Sequence, residues 1–186
     1  MGTLGASPLK PRLMDSVPQT PFFASRCLKR VGACLPRRGG GMAVQYDFDL
    51  VGKIGSMALI RREDADIDYN IFSRLGRELR PGMIWVTSGA AEIGRLDYIR
   101  RTGHELSCDS VDAKTDYAAQ GQSILMEQYR HFIRQEYSVR QVLVEHQHFT
   151  DPEKREHIRR LFRRAKEQGA IPIVNYNDPV ADEENR

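Results

Sequence analysis

Ala170-Ile171-Pro172-Ile173-Val174-Asn175-Tyr176-Asn177-Asp178 is an apolar run of strand type that opens straight onto polar residues. Gly169 ends the helical pattern before it, so the run reads as a buried strand. Open α/β sheets build ligand sites from the side chains delivered just beyond the carboxyl ends of their strands. The same nine residues therefore predict a fold class and a place to look for chemistry. Asn175 and Asn177 are two positions apart and share a side in extended backbone. Two amides and the Asp178 carboxylate would suit a polar ligand, although Asn177-Asp178-Pro179 is also a turn signal in its own right.

Upstream, the pattern repeats. Asp151-Pro152-Glu153 starts a helix, with an acceptor at the N-cap and proline at the first position. Ile158, Leu161, Phe162 and Ala165 form its buried stripe, and the strand Val139–Val144 precedes it. Asp112 is the expected N-cap of a long helix carrying Ala118, Gln122, Leu125, Met126, Tyr129, Phe132 and Ile133 on one face. Ser88-Gly89-Ala90-Ala91 makes a small-residue turn into another helix, after the strand Met83–Thr87. Pro81-Gly82 closes a helix expected over Ile67–Arg80, where Ile67, Ile71, Leu75 and Leu79 recur every four residues. The first strand, Phe48–Ile54, turns at Gly55-Ser56. This alternation predicts a mainly parallel sheet covered on both faces, a three-layer α/β/α sandwich.

Composition bounds the function. The chain has 186 residues, 40% hydrophobic and 28% charged, as expected of one globular domain with a proper core. Its net charge of +3 is unevenly spread. Residues 1–41 hold seven basic residues and one acid, whereas the remainder of the 28 basic and 25 acidic residues stands at 21 against 24. That split removes any global argument for nucleic-acid binding. No run of 18 apolar residues exists to span a membrane. Three cysteines, Cys27, Cys34 and Cys108, form no close pair, which points to a reducing, cytoplasmic setting without a disulfide framework or structural zinc. Residues 1–41 carry five of the nine prolines and read as a disordered leader or upstream extension, with a transit peptide as the other reading. The domain is expected over 42–186.

The carboxyl-end rule selects three places. Lys53, Gly55 and Ser56 follow the first strand: small residues that let backbone N–H groups approach a phosphate, beside a mobile cation. Ser88, Gly89 and Ala90 follow the second, where a helix N-terminus supplies unsatisfied donors. Asn175, Asn177 and Asp178 follow the last. Each has a plainer reading as an ordinary turn.

Together, and in this order, they resemble the amino acid kinase family, and within it the glutamate 5-kinases most. Val51-Gly52-Lys53-Ile54-Gly55-Ser56 is similar to that group's Val-Lys-Ile-Gly-Ser opening, and Val86-Thr87-Ser88-Gly89-Ala90 to its Val-Ser/Thr-Ser-Gly-Ala turn. Ala118-Ala119-Gln120-Gly121-Gln122-Ser123-Ile124-Leu125-Met126 resembles Ala-Ala-Val-Gly-Gln-Ser-x-Leu-Met, and Ile171–Asp178 resembles Ile-Pro-Ile-Ile-Asn-Glu-Asn-Asp. The resemblance covers roughly residues 48–182. It implies transfer of the ATP γ-phosphoryl group to a carboxylate, with Mg²⁺ accompanying ATP. Lys53 would be catalytic, Gly55 and Ser56 would bind phosphate, and Ser88, Gly89, Ala90, Asn175, Asn177 and Asp178 would bind the acceptor. A small-molecule acceptor and ATP are the expected partners, with no nucleic acid and no membrane, and a homo-oligomer when full length.

Two departures qualify this. Where the family carries Asn-Ala-Arg-Asp-Thr, the chain has His157-Ile158-Arg159-Arg160-Leu161, so the cation Arg160 replaces an anion. A cation there would repel an ammonium group and welcome an anionic, uridylate-type acceptor. The family's second half, which supplies most of the adenine and ribose pocket, would begin just past Asp182, and the sequence stops at Arg186. The chain is thus expected to be an apparently truncated, acceptor-binding portion, or else a catalytically silent ligand-binding module. His146 and His148 are expected on one side of a strand end, but without a third ligand they predict no metal site. The run Lys154, Arg155, Arg159, Arg160, Arg163, Arg164 and Lys166 is interleaved with Glu153, Glu156 and Glu167 and reads as a solvated helix face.

Overall fold

Four parallel strands form the centre of the computed structural model, which describes residues 47–181. The leader 1–41 and the acidic residues 182–186 lie outside the described residues. β1 (Leu50–Lys53), β4 (Met83–Val86), β6 (Ala170–Tyr176) and β5 (Ser138–Val144) stand side by side in that order. The apolar run Ala170–Val174 takes an inner position, hydrogen-bonded on both sides, as its lack of polar alternation demands.

Side chains alternate across the sheet and build two cores. On one face Met83, Trp85, Ile171 and Ile173 pack against α1 (Tyr69–Glu78), α2 (Ala90–Thr102) and α3 (Ser110–Phe132), through Phe72, Ile93, Leu125 and Tyr129. On the other, Ile84, Val142, Val144 and Val174 meet Ile158, Leu161 and Phe162 of α5 (Pro152–Glu167). The result is the expected mainly parallel α/β/α arrangement. Ile171 and Ile173 are fully buried, each contributing about 1.5–3 kcal/mol by leaving water.

Several local expectations shift. The helix α1 starts at Tyr69, because Asp68 caps it by accepting from the N–H groups of Asn70 and Ile71 at 3.0 and 3.2 Å. Ile67 belongs instead to a short hairpin of β2 (Ile60–Arg61) and β3 (Asp66–Ile67), whose two-residue strands are too brief to show a period. The long helix α3 is capped by Asp109, which accepts from Val111 N–H at 2.8 Å; Asp112 falls in its first turn. His148 lies in the short helix α4 (Gln147–Thr150) and His146 at its N-cap, so the two do not share a strand side. The His148 ring Nδ1 accepts from the Glu145 N–H at 2.9 Å. The α5 basic residues are largely solvated, but Arg163 and Lys166 hold Asp47 and Asp49 below β1.

The helices α2 and α3 approach backbone to backbone. A Cβ on Gly121 would lie 1.9 Å from the Ala90 carbonyl oxygen, and one on Gly94 would lie 1.8 Å from that of Tyr117. A hydrogen-bond relay then ties α3 to the sheet. Trp85 Nε1 donates to Tyr129 Oη at 3.0 Å, Tyr129 Oη donates to Thr87 Oγ1 at 2.8 Å, and Thr87 Oγ1 donates to the Ser88 carbonyl at 3.2 Å. Each buried hydroxyl in this chain both donates and accepts. Burial pushes the Tyr129 phenol up to about 12, against the pull of its bonds to Thr87 and Trp85.

Gly121→Ala should cost about 3 kcal/mol or abolish folding, because backbone cannot yield to the new methyl group. Gly55→Ala, with φ of −85° and open space around it, should change the melting temperature little. Tyr129→Phe should cost about 1–3 kcal/mol at neutral pH. The native phenol titrates above its unfolded value of roughly 10, so the stability carried by neutral Tyr129 is complete below pH 10 and is lost as pH rises through about 12. In urea melts, the gap between wild type and Tyr129→Phe should narrow from pH 10 upward.

Candidate functional site

Parallel register brings all four strands to a common edge. Lys53 pairs with Val86, Val86 with Val174, and Val144 with Tyr176. Backbone bonds extend the ladder past the strands: Ile54 N–H to Val86 at 3.0 Å, Thr87 N–H to Val174 at 2.8 Å, and Asn177 N–H to Val144 at 2.9 Å. The loops that follow β1, β4, β5 and β6 therefore emerge along one line.

The first two loops touch. Gly89 takes a left-handed φ of 97°, and a Cβ there would lie 3.3 Å from Leu59 Cδ1 and 3.4 Å from Ser56 Cα. Ser88 Oγ donates to the Ile54 carbonyl at 3.2 Å and fastens the second loop to the end of β1. Both loops expose spare donors. After β1, the first turn bond runs from Ala58 N–H to Gly55, so the Gly55 and Ser56 N–H groups precede it. In α2 the first bond runs from Ile93 N–H to Gly89, leaving the Ala90, Ala91 and Glu92 N–H groups ahead of it, with no side-chain cap. The helix dipole adds positive potential at that point. Lys53 ends β1 with an exposed ammonium group that takes no carboxylate among the described residues.

The last loop divides the polar residues. Asn175 is 2% exposed and its Nδ2 donates to Gln122 Oε1 of α3 at 2.7 Å. Asn177 lies beyond β6, is half-buried, and its Nδ2 donates to Glu145 Oε1 at 2.7 Å. The shared side expected of the two asparagines does not persist, because extended backbone stops at Tyr176. Asp178 follows at the same edge, half-buried. Arg160 is not brought to this edge. It sits on the exposed side of α5, eight residues from the helix start, roughly 12 Å along the axis.

Two residues join the site that sequence reading passed over. Gln122 was placed in a buried helix stripe; its Oε1 fixes Asn175, and its Nε2 is buried without a partner among the described residues, leaving one donor spare. Glu145 was overlooked, although the carboxyl-end rule applied to β5 would have named it. Its hydrogen bond from Asn177, and then that from Gln147, hold its carboxyl group below the ordinary range.

Two grooves lie elsewhere. One of about 360 Å³ runs between β1 and α5, past Phe48, Val51, Phe149 and Phe162. Another of about 330 Å³ follows β5 past Gln141, His148, Lys154 and His157. Neither is lined by a residue of the strand-end cluster. The strand-end cluster differs from them in chemistry, since it sets donors, a cation and carboxylates along one sheet edge.

No protein-family model matches the chain. Glutamate 5-kinase of Symbiobacterium thermophilum is 36% identical over 137 residues, which is 72% of this chain and 46% of that protein. Glutamate 5-kinase of Shouchella clausii is 34% identical over 103 residues, 55% of this chain and 27% of that protein. Glutamate 5-kinase 2 of Bacillus subtilis is 32% identical over 143 residues, 70% and 36% respectively. The chain spans about half, or less, of the length of these curated relatives. With three of the four ordered motifs on strands of one sheet and the fourth in α3 packed against it, the chain is a glutamate 5-kinase-like member of the amino acid kinase family.

Proposed function

We propose that the strand-end cluster is the acceptor-binding portion of an ATP-dependent phosphotransferase that makes an acyl phosphate from an amino-acid carboxylate. The observation that carries this reading is the contact of the Gly55-Ser56 loop with the Ser88-Gly89 loop beside the exposed Lys53. That contact sets two groups of unsatisfied N–H donors against each other at one end of the sheet. Phosphoryl transfer asks for little else from a protein: two anionic partners in line, and positive charge around the oxygens between them.

Bound ATP would supply the electrophilic phosphoryl group. The open space above Gly55 and the spare Gly55 and Ser56 N–H groups fit a phosphate, and Lys53 can reach it as a mobile point charge. Ser88, Gly89 and Ala90 at the α2 N-terminus would hold the acceptor carboxylate and orient one oxygen toward the phosphate. Asn177 and Asp178 would hold the acceptor's far end, while Asn175, buried against Gln122, supports that wall from behind. Mg²⁺ would travel with the phosphates. Mg²⁺ keeps several waters and binds phosphate oxygens, so these would be among its ligands.

The relatives named glutamate 5-kinase support an amino-acid acceptor. The uridylate-type alternative rests on Arg160, whose place midway along α5 gives it no strand-end partner.

Hydroxylamine trapping of the acyl phosphate, in the chain and in any longer form with the same residues, tests the reading. Lys53→Ala should lower turnover by about 10²-fold or more without shifting the melting temperature. Full activity in that variant would defeat the mechanism. Arg160→Asp should change the preference between glutamate and uridine monophosphate by less than about threefold, on the scale of a solvated charge. A larger swing toward glutamate would restore Arg160 to the acceptor site.

A further inference from the structure

Glu145 follows β5 and accepts two side-chain hydrogen bonds, and the four motifs quoted above do not include it. Its Oε1 accepts from Asn177 Nδ2 at 2.7 Å, and its Oε2 accepts from Gln147 Nε2 at 2.7 Å. Its own N–H is taken by His148 Nδ1, so the backbone is held as well as the side chain. The Val144 carbonyl next to it receives the Asn177 N–H, which fixes the two loops at one separation.

This arrangement decides how Asn177 faces. An ionised carboxylate can only accept, so the NH₂ end of the Asn177 amide must point at Glu145. The carbonyl end must then point away. Among the described residues the Asn177 side chain makes no other hydrogen bond, so Oδ1 stays open as an acceptor at the strand-end edge. The Glu145 carboxylate lies on the amide side of it, bound to Nδ2. His148 and Lys154 add positive potential at Glu145, with Lys154 hydrogen-bonded to Gln147, and Arg160 lies midway along the exposed side of α5.

We infer that Glu145 is a positioning residue for acceptor choice: it turns Asn177 so that Oδ1 receives the ammonium group of an amino-acid acceptor. The inference rests on the acceptor-site reading above and deepens it. It also supplies what the exchange of an anion for Arg160 takes away, since a negative wall that attracts the amino group is present from β5. An acceptor whose far end is anionic and lacks an ammonium group would meet the Asn177 carbonyl and the Glu145 carboxylate with no donor of its own to offer. The lowered titration range of Glu145 keeps it ionised at neutral pH.

Calorimetric titration of the 186-residue chain with L-glutamate, glutarate and uridine monophosphate tests this. Glutarate is the same dicarboxylate without the amino group. Wild type should bind L-glutamate about tenfold more tightly than glutarate, the scale of one charge-assisted hydrogen bond. Glu145→Ala should erase that ratio, and Glu145→Gln, which still offers an oxygen to Asn177 Nδ2, should keep a preference of about threefold or more. A residue that merely braced β5 against β6 would weaken both ligands alike and lower the melting temperature, leaving the ratio intact. An unchanged ratio in Glu145→Ala overturns the inference alone. If Glu145→Ala does not fold, Asn177→Ser removes the same carbonyl with Glu145 in place, and retention of the ratio there is equally fatal. Failure of wild type to bind either dicarboxylate, or binding of uridine monophosphate alone, overturns the amino-acid acceptor reading and this inference with it.

Discussion

The α2 and α3 helices meet backbone to backbone at Gly94 and Gly121, and the strand-end cluster depends on that contact. With glycine at both positions the helix axes come close enough for the Ala90 carbonyl to face Gly121. That closeness sets the height of the α2 N-terminus above the sheet edge. It also places Gln122, the next residue of α3, beside Asn175 at the end of β6. One contact without side chains thus locates both the donor-bearing loop after β4 and the support behind the loop after β6.

The Trp85–Tyr129–Thr87–Ser88 relay performs the same task by polar means. It runs head to tail from β4 to α3 and back to the loop that precedes α2. Breaking it would leave buried hydroxyl or indole groups unpaired, a larger cost than the modest gain from making each bond. Packing and polar satisfaction therefore agree on where Ser88 and Gly89 sit. Such agreement suits a site in which small displacements of donors are costly.

Much of this was readable in the chain. The buried strands β4 and β6 show as apolar runs, and Asp151-Pro152 marks the start of α5 as expected. Lys53, Gly55, Ser56, Ser88, Gly89 and Ala90 were selected by the carboxyl-end rule and do gather at one edge. The differences have separate physical causes. The hairpin of β2 and β3 is too short for any period, and Asp109 outcompetes Asp112 as a cap by three residues. Gln122 and Glu145 act through partners 53 and 32 residues away, which no local pattern records.

Sequence alone determined the layered α/β arrangement and the parallel sheet, because hydrophobic period and turn residues are local and each strand's direction follows from its connections. Tertiary structure decided how the polar residues divide the work. Asn175 and Asn177 look equivalent in the sequence, yet one is buried against Gln122 and the other is turned by Glu145 at the open edge. Arg160, the sharpest departure in the sequence, lies on the exposed side of α5, while a carboxylate from β5 stands at the edge. Charge acts through space and falls with distance and solvent screening, so only the folded chain can say which charge an acceptor meets.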